Sequence, residues 1–244
     1  MVVTNMFLTE QRHRYDEKQL NRCISLLMRN RVCDGSSATI DEARFQAEAL
    51  KDMLGKKCGY TLGHSERVAH YCSLAGKNMN LTGREIKILA MSAQLHDFGK
   101  IVIPDSILKK PSSLTRKEMK LIRTHPQIGA ALMEISGCFS DLLPGVLYHH
   151  EQYKGGMGYP NVFGGDEIPL YARIIAVADS YDAMTTDRPY QKGVPKETAL
   201  ERLAFGSGSQ FDPKIAASFV NAIGTVSKSV WHFPDLRQEP LLPA

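Results

Sequence analysis

No CxxC pair occurs among the five cysteines, Cys23, Cys33, Cys58, Cys72 and Cys138, which are odd in number and widely scattered. That spacing excludes a zinc ribbon and argues against a disulfide framework, so the thiols are expected to be reduced. Long apolar runs are also missing. Stretches such as Ala172 to Ala178 are interrupted by Arg173 and fall far short of the roughly 20 residues that a membrane span needs. Met1 to Glu10 offers neither a basic n-region nor an apolar h-region, so no secretory signal is expected and the cytoplasm is the default location. The net charge of +4 is spread along the chain without a polybasic block, which gives no support for a nucleic-acid polymer as partner. Internal repeats and low-complexity tracts are absent. What is present is 244 residues, 43% hydrophobic and 23% charged, the profile of a globular domain that can bury a core.

Helical periodicity runs through most of the chain. Leu20, Cys23, Ile24, Leu27 and Met28 form one stripe, broken by Asp34-Gly35-Ser36-Ser37, and Ala43, Ala47, Leu50 and Leu54 form another. Residues 1–59 therefore read as a small helical appendage, 60–225 as the main domain, and 226–244 as a poorly ordered tail. Within the main domain His64, Val68, Cys72, Ala75 and Met79 share a face. Thr82-Gly83-Arg84-Glu85 forms a capping box that opens a helix to about His96. Thr115-Arg116-Lys117-Glu118 is a second box, predicted to start the helix that carries His125. Pro169 is placed at a first helical position, and Asp212-Pro213 caps and starts the last helix. The fold class is all-α, with one irregular Gly- and Pro-rich loop from Gly155 to Gly165.

The chemistry concentrates on histidines and aspartates. His96-Asp97-Phe98-Gly99-Lys100 places two potential ligands side by side at a helix end, where Gly99 is expected to permit the turn. A carboxylate can bridge two cations, whereas an imidazole serves one. Taken alone, the dipeptide reads better as a capping aspartate beside a half-buried histidine, and His64 or His125 alone as a satisfied histidine. The pair His149-His150, at the end of the apolar run Leu142, Leu143, Val146 and Leu147, is costly without partners. So is Asp179 on the apolar face of the stretch from Leu170 to Thr186.

These residues, together with Glu151, Gly158-Tyr159-Pro160, Asp179-Ser180-Tyr181-Asp182-Ala183 and Asp187-Arg188-Pro189-Tyr190, resemble the HD-GYP phosphodiesterases. The likeness extends from about Tyr60 to Phe219 and includes Gly63-His64-Ser65, Ile103-Pro104-Asp105 and Gln210-Phe211-Asp212-Pro213. It implies an all-helical HD domain with a GYP-bearing loop, two divalent metal ions such as iron or manganese, and cyclic di-GMP as substrate. Carried over by position, one metal would take His64, His96, Asp97 and Asp179, and the other Asp97 as bridge with His125, His149 and His150. Two cations roughly 3.5–4 Å apart share a water, lower its pKa and deliver hydroxide in line at phosphorus.

Within that resemblance Lys100 is expected to balance charge on the phosphate or assist the leaving oxygen, its alternative being a solvated surface lysine. Arg188 is expected to clamp a second phosphate oxygen bidentately. Tyr159 is expected in the substrate pocket. Asp182, on the same helical face as Asp179, could orient ligand or substrate or be structural. Tyr60 stands where the three-metal members have glutamate, so two metals are expected. The segment Gln152 to Met157 is one residue longer than usual and lacks the customary aspartate, and Gln191 replaces a basic residue that Lys192 could supply. The expected activity is hydrolysis of cyclic di-GMP to pGpG, with continuation to GMP left open. The alternatives are a hydrolase of another cyclic dinucleotide such as cyclic GMP-AMP, and a catalytically silent receptor or adaptor that signals through protein contacts of the GYP loop. The N-terminal helices could form a homodimer, sense a ligand or pack on the catalytic domain.

Overall fold

The computed structural model describes residues 15–29, 40–57, 59–136, 140–187 and 192–224. Cys33, Cys58, Cys138, the side chain of Tyr60, the run Arg188 to Gln191 and the tail lie outside this set. Among the described residues every regular element is helical, in agreement with the expected class. In chain order they are α1 (Glu17–Arg29), α2 (Ile40–Lys57), α3 (Gly59–Asn78), α4 (Gly83–Leu95), a 3-10 turn (Phe98–Val102), α5 (Asp105–Leu108), α6 (Arg116–Ile122), α7 (His125–Ser136), α8 (Leu143–Tyr148), a second 3-10 turn (Gly165–Glu167), α9 (Leu170–Thr185), α10 (Lys196–Phe205) and α11 (Pro213–Ile223).

Both capping boxes form. The Thr82 hydroxyl accepts from the Glu85 amide while the Glu85 carboxylate accepts from the Thr82 amide, and Thr115 and Glu118 do the same for α6. Asp212 accepts from the amides of Lys214 and Ile215 at the head of α11, with Pro213 first in the helix. Two expectations need correction. The box at Thr115 opens α6, which ends before His125, and His125 instead begins α7. Pro126 explains the break, since a proline has no amide to donate and belongs in a first helical turn. Pro169 occupies the cap position and Leu170 is the first helical residue.

The apolar side chains gather into two cores. One packs Phe98, Ile101 and Val102 of the 3-10 turn, with Ile103 just after it, against Ile128 and Leu132 of α7 and against Leu20, Cys23, Leu50 and Leu54 of α1 and α2. The segment expected as an appendage thus contributes to the same core as the turn that follows His96-Asp97. The other core joins Val68, Cys72 and Ala75 of α3 to Ile174, Ile175 and Ala178 of α9 and to Leu200, Leu203, Ile215 and Phe219 of α10 and α11. Helix α4 serves both, with Met91 and Leu95 in the first and Leu89 and Ala93 in the second. Its C-terminal end, where His96 and Asp97 sit, therefore lies between elements of both cores.

Candidate metal centre

Seven side chains singled out in the sequence come together at that seam. The ligating atoms of His64, His96 and Asp97 lie within 4.8 Å of one another, as do those of His125, His149 and His150. Asp97 stands between the two groups. Its Oδ1 is 3.2 Å from His125 Nε2, while its Oδ2 is 3.6 Å from His96 Nε2 and 3.9 Å from His64 Nε2. One carboxylate thus presents an oxygen to each histidine group. Asp179 joins from α9, its Oδ1 3.2 Å from His64 Nε2.

The rings are aimed by their outer nitrogens. Nδ1 of His96 lies 2.6 Å from the Ala93 carbonyl, that of His125 2.8 Å from Ile122, and that of His149 2.8 Å from Val146. A carbonyl only accepts, so each Nδ1 carries the proton and, in the neutral ring, Nε2 is left as a bare lone pair. His64 donates from Nδ1 to Asp182 Oδ2 at 2.7 Å. Metal-binding histidines characteristically carry such a second hydrogen bond, which fixes tautomer and orientation.

The lone pairs then lack protons to bind. His125 Nε2 and His149 Nε2 face each other at 3.3 Å, acceptor against acceptor. His96 Nε2 and Asp97 Oδ1 are fully buried without a hydrogen bond. Burying so many acceptors is unfavourable unless cations compensate. Donors of nitrogen and carboxylate oxygen in this number fit borderline divalent metals.

Charge is distributed to match. Burial lowers the pKa of His96, and burial together with the neighbouring imidazoles holds His149 well below its usual value. Burial and His125 push His150 down to about 3. These rings are neutral at physiological pH, the form that binds metal. His64 differs: burial opposes its charge, but its bonds to Asp179 and Asp182 prevail and lift it to about 9. Burial likewise opposes ionisation of Asp97, and the Lys100 ammonium beside it overcomes this and holds its pKa well below the usual value, so the carboxylate is anionic. Lys100 Nζ sits 2.6 Å from Asp97 Oδ2.

Of the roles left open for Asp182, its placement matches that of orienting a candidate ligand and not that of contacting substrate. It is fully buried behind His64, where it also accepts from Arg67 Nε at 2.6 Å, Arg67 Nη2 at 3.0 Å and Thr186 Oγ1 at 3.2 Å. Gly99 has another role than the one expected. Its backbone is not left-handed. A Cβ there would land on the His125 carbonyl, and another contact with the Gly129 amide would be only 2.7 Å. Glycine lets the 3-10 turn press directly on the head of α7.

The GYP segment folds over the second histidine group. The Tyr159 ring lies 4.5 Å from the His150 ring and 6.3 Å from that of His125, and its amide donates to the His150 carbonyl at 3.1 Å. A Cβ on Gly158 would fall 2.6 Å from both the His150 carbonyl oxygen and the Gln152 amide, which is why a glycine precedes the tyrosine. Glu151 is buried and accepts from the Val162 amide at 2.7 Å. The loop's outer side is tied to the turn before α11 by Tyr153 to Gln210 and Lys154 to Ser209. Arg173 joins Asp166 to the cap residue Asp212. An open pocket between this loop and α9 is lined by Arg123, His149, His150, Tyr159, Asp179 and Gln210, among others. Arg188 is outside the described residues.

Two contributors went unnoticed in the sequence. Arg67 had a signal, standing one turn after His64 on the same helix. Arg123, whose guanidinium lies 5.5 Å from the Tyr159 ring centroid, had none that separated it from the cations of α6 just before it.

The family model for the HD domain matches residues 48–215. The chain is 37% identical over 194 residues to the cyclic di-GMP phosphodiesterase response regulator RpfG of Xanthomonas campestris, covering 78% of this chain and 50% of that one. It is 32% identical over 186 residues to 3'3'-cGAMP-specific phosphodiesterase 3 of Vibrio cholerae, covering 76% and 40%. It thus spans half or less of the length of these relatives. Among solved structures, the HDG"Y"P protein Bd1817 from Bdellovibrio bacteriovorus superposes with a TM-score of 0.57 at 16% identity over 75% of this chain and 64% of that one, a likeness of fold.

Proposed function

The chain belongs to the HD-domain family, in its HD-GYP branch, and on that premise we propose that it is a metal-dependent phosphodiesterase that opens cyclic di-GMP to pGpG. The observation that carries this reading is Asp97, with one oxygen turned to His125 and the other to His64 and His96. We assign His64, His96, Asp97 and Asp179 to one metal, and Asp97, His125, His149 and His150 to the other, with iron or manganese as the ions. Two such ions, when bound, supply Lewis-acid stabilisation of the phosphate and activation of a water.

The protein's own contribution is orientation and charge. Asp182 and the three backbone carbonyls hold the imidazoles with Nε2 inward, so the ligand set is ordered before anything binds. Lys100 brings an ammonium to the edge of the site, where it offsets negative charge on a phosphate oxygen. Tyr159 packs beside His150 and forms part of the pocket wall that substrate would meet. Residues 60–225 form the catalytic unit in this reading, and the exposed side chains of Met157 and Val162 on the GYP loop supply a surface for a protein partner.

Substituting Asp97→Ala tests the assignment. We expect metal content to fall from two ions per chain to one or fewer, and turnover to drop by about three orders of magnitude or more. A variant that retains both metal and activity sinks the mechanism. The second reading, cleavage of cyclic GMP-AMP, is favoured by the relative of that specificity and by the longer segment between Glu151 and Gly158. Product analysis with cyclic di-GMP, cyclic GMP-AMP and cyclic di-AMP, on protein loaded anaerobically, separates the two.

A further inference from the structure

A cyclic dinucleotide carries two phosphates, and one centre can attack only one of them. The other needs a cation of its own, within reach of the ligand cluster. Among the described residues lining the pocket beside His149, His150 and Asp179, Arg123 is the only lysine or arginine. It occupies the break between α6 and α7, two residues before the ligand His125. Its guanidinium rests on the Tyr159 ring at 5.5 Å, within the range of a cation–π contact, and that ring in turn touches His150. The side chain is exposed to solvent. It is therefore held one ring away from the histidine cluster with its polar edge free to face a ligand. The planar fork suits two phosphate oxygens at once, which an ammonium cannot match.

We infer that Arg123 is a substrate-binding residue that clamps the uncut phosphate of the cyclic dinucleotide against the Tyr159 face, an inference that rests on the phosphodiesterase reading above. Its contribution falls on recognition: the clamp holds the ring of the dinucleotide while the other phosphate sits among His64, Asp97 and the remaining ligands. A substrate with a single phosphodiester has nothing for it to hold.

The test compares the full-length, metal-loaded wild type with Arg123→Ala and Arg123→Lys on cyclic di-GMP, on cyclic GMP-AMP and on bis(p-nitrophenyl) phosphate, which has one phosphate. We expect Arg123→Ala to raise KM for the preferred dinucleotide about 10- to 100-fold, the range of a charge-assisted hydrogen bond, with kcat within about threefold. Arg123→Lys should recover part of that loss. Turnover of bis(p-nitrophenyl) phosphate should stay within about twofold. Wild-type KM for the dinucleotide in Arg123→Ala overturns the clamp. An equal loss on both kinds of substrate also overturns it, because the residue would then act on the metal centre or the fold. A wild type that cleaves bis(p-nitrophenyl) phosphate but neither binds nor cuts any cyclic dinucleotide removes the substrate reading and the clamp with it.

Discussion

His64 and the other three hydrogen-bonded histidines of the centre are oriented by different means. His96, His125 and His149 stand at helix ends, and each donates from Nδ1 to the carbonyl three residues earlier. Carbonyls in a last helical turn have no amide partner within the helix, so a ring at that point can use one without breaking a backbone bond. His64 lies inside α3, where the carbonyls are already engaged, and it must look elsewhere. Asp182 from α9 supplies the acceptor, steadied by Arg67. The same task is therefore done by chain geometry in one region and by a removable side chain in the other. Mutations should separate them.

The backbone-held region offers no orienting side chain to delete, so it has to be attacked through packing. Gly99→Ala places a methyl group on the His125 carbonyl, where neither partner can escape by changing rotamer. Overpacking of this kind costs on the order of 1–3 kcal/mol, which lowers the melting temperature by roughly 2–12 °C in a domain of this size. Because the displaced group belongs to His125, a proposed ligand, turnover should fall to background, with loss of the ion assigned to His125, His149 and His150. A thermal melt and metal analysis check both. An unchanged metal content in Gly99→Ala would show that the close approach of the turn to α7 does not set the ligand position.

Asp182→Ala is the matching attack on the side-chain-held region. Loss of an outer hydrogen bond to a metal-bound imidazole typically weakens binding about 10- to 100-fold. The effect should be confined to the ion we assign to His64, His96, Asp97 and Asp179, so that protein equilibrated with limiting metal retains one ion where the wild type is expected to retain two. Equal loss of both ions would mean that Asp182 supports the fold as a whole and not His64 in particular.

The contrast also marks what could be read from the chain. The seven candidate ligands were legible as a set through the resemblance to the HD-GYP pattern, with the cost of burying His149-His150 and Asp179 as the signal in the residues themselves, and all seven meet in the fold. The helix starts were legible where a complete cap was written locally, at Thr82, Thr115 and Asp212. The break before His125 was also written, in Pro126, but the capping box at Thr115 suggested a longer helix. Asp182 was placed on the correct face of α9 and remained ambiguous, since its role depends on His64 reaching it from a distant helix. Arg123 was invisible for the same reason: its setting is created by the loop that carries Tyr159 back over α7. Gly99 was noticed for the wrong property. Periodicity reports conformational freedom and local pattern, whereas the closeness of the turn to α7 exists only once both cores have formed.

The smallest effect belongs to Arg67, whose described hydrogen bonds reach the centre by way of Asp182. Its two bonds to that carboxylate form a fork that lysine cannot reproduce, and its side chain is 39% exposed. Solvent therefore screens the pair, and Thr186 still donates to Asp182 when Arg67 is gone. Arg67→Lys should weaken metal binding by no more than about fivefold, well short of the loss in Asp182→Ala. The double variant carries the sharper information. If Arg67 acts solely by steadying Asp182, Arg67→Lys adds nothing once Asp182 is alanine, and the two losses combine to that of Asp182→Ala alone. Additive losses would show a separate contribution from the Arg67 charge. In that case His64 would depend on two independent side chains, and the separation between the two regions would be wider than the bond from His64 to Asp182 suggests.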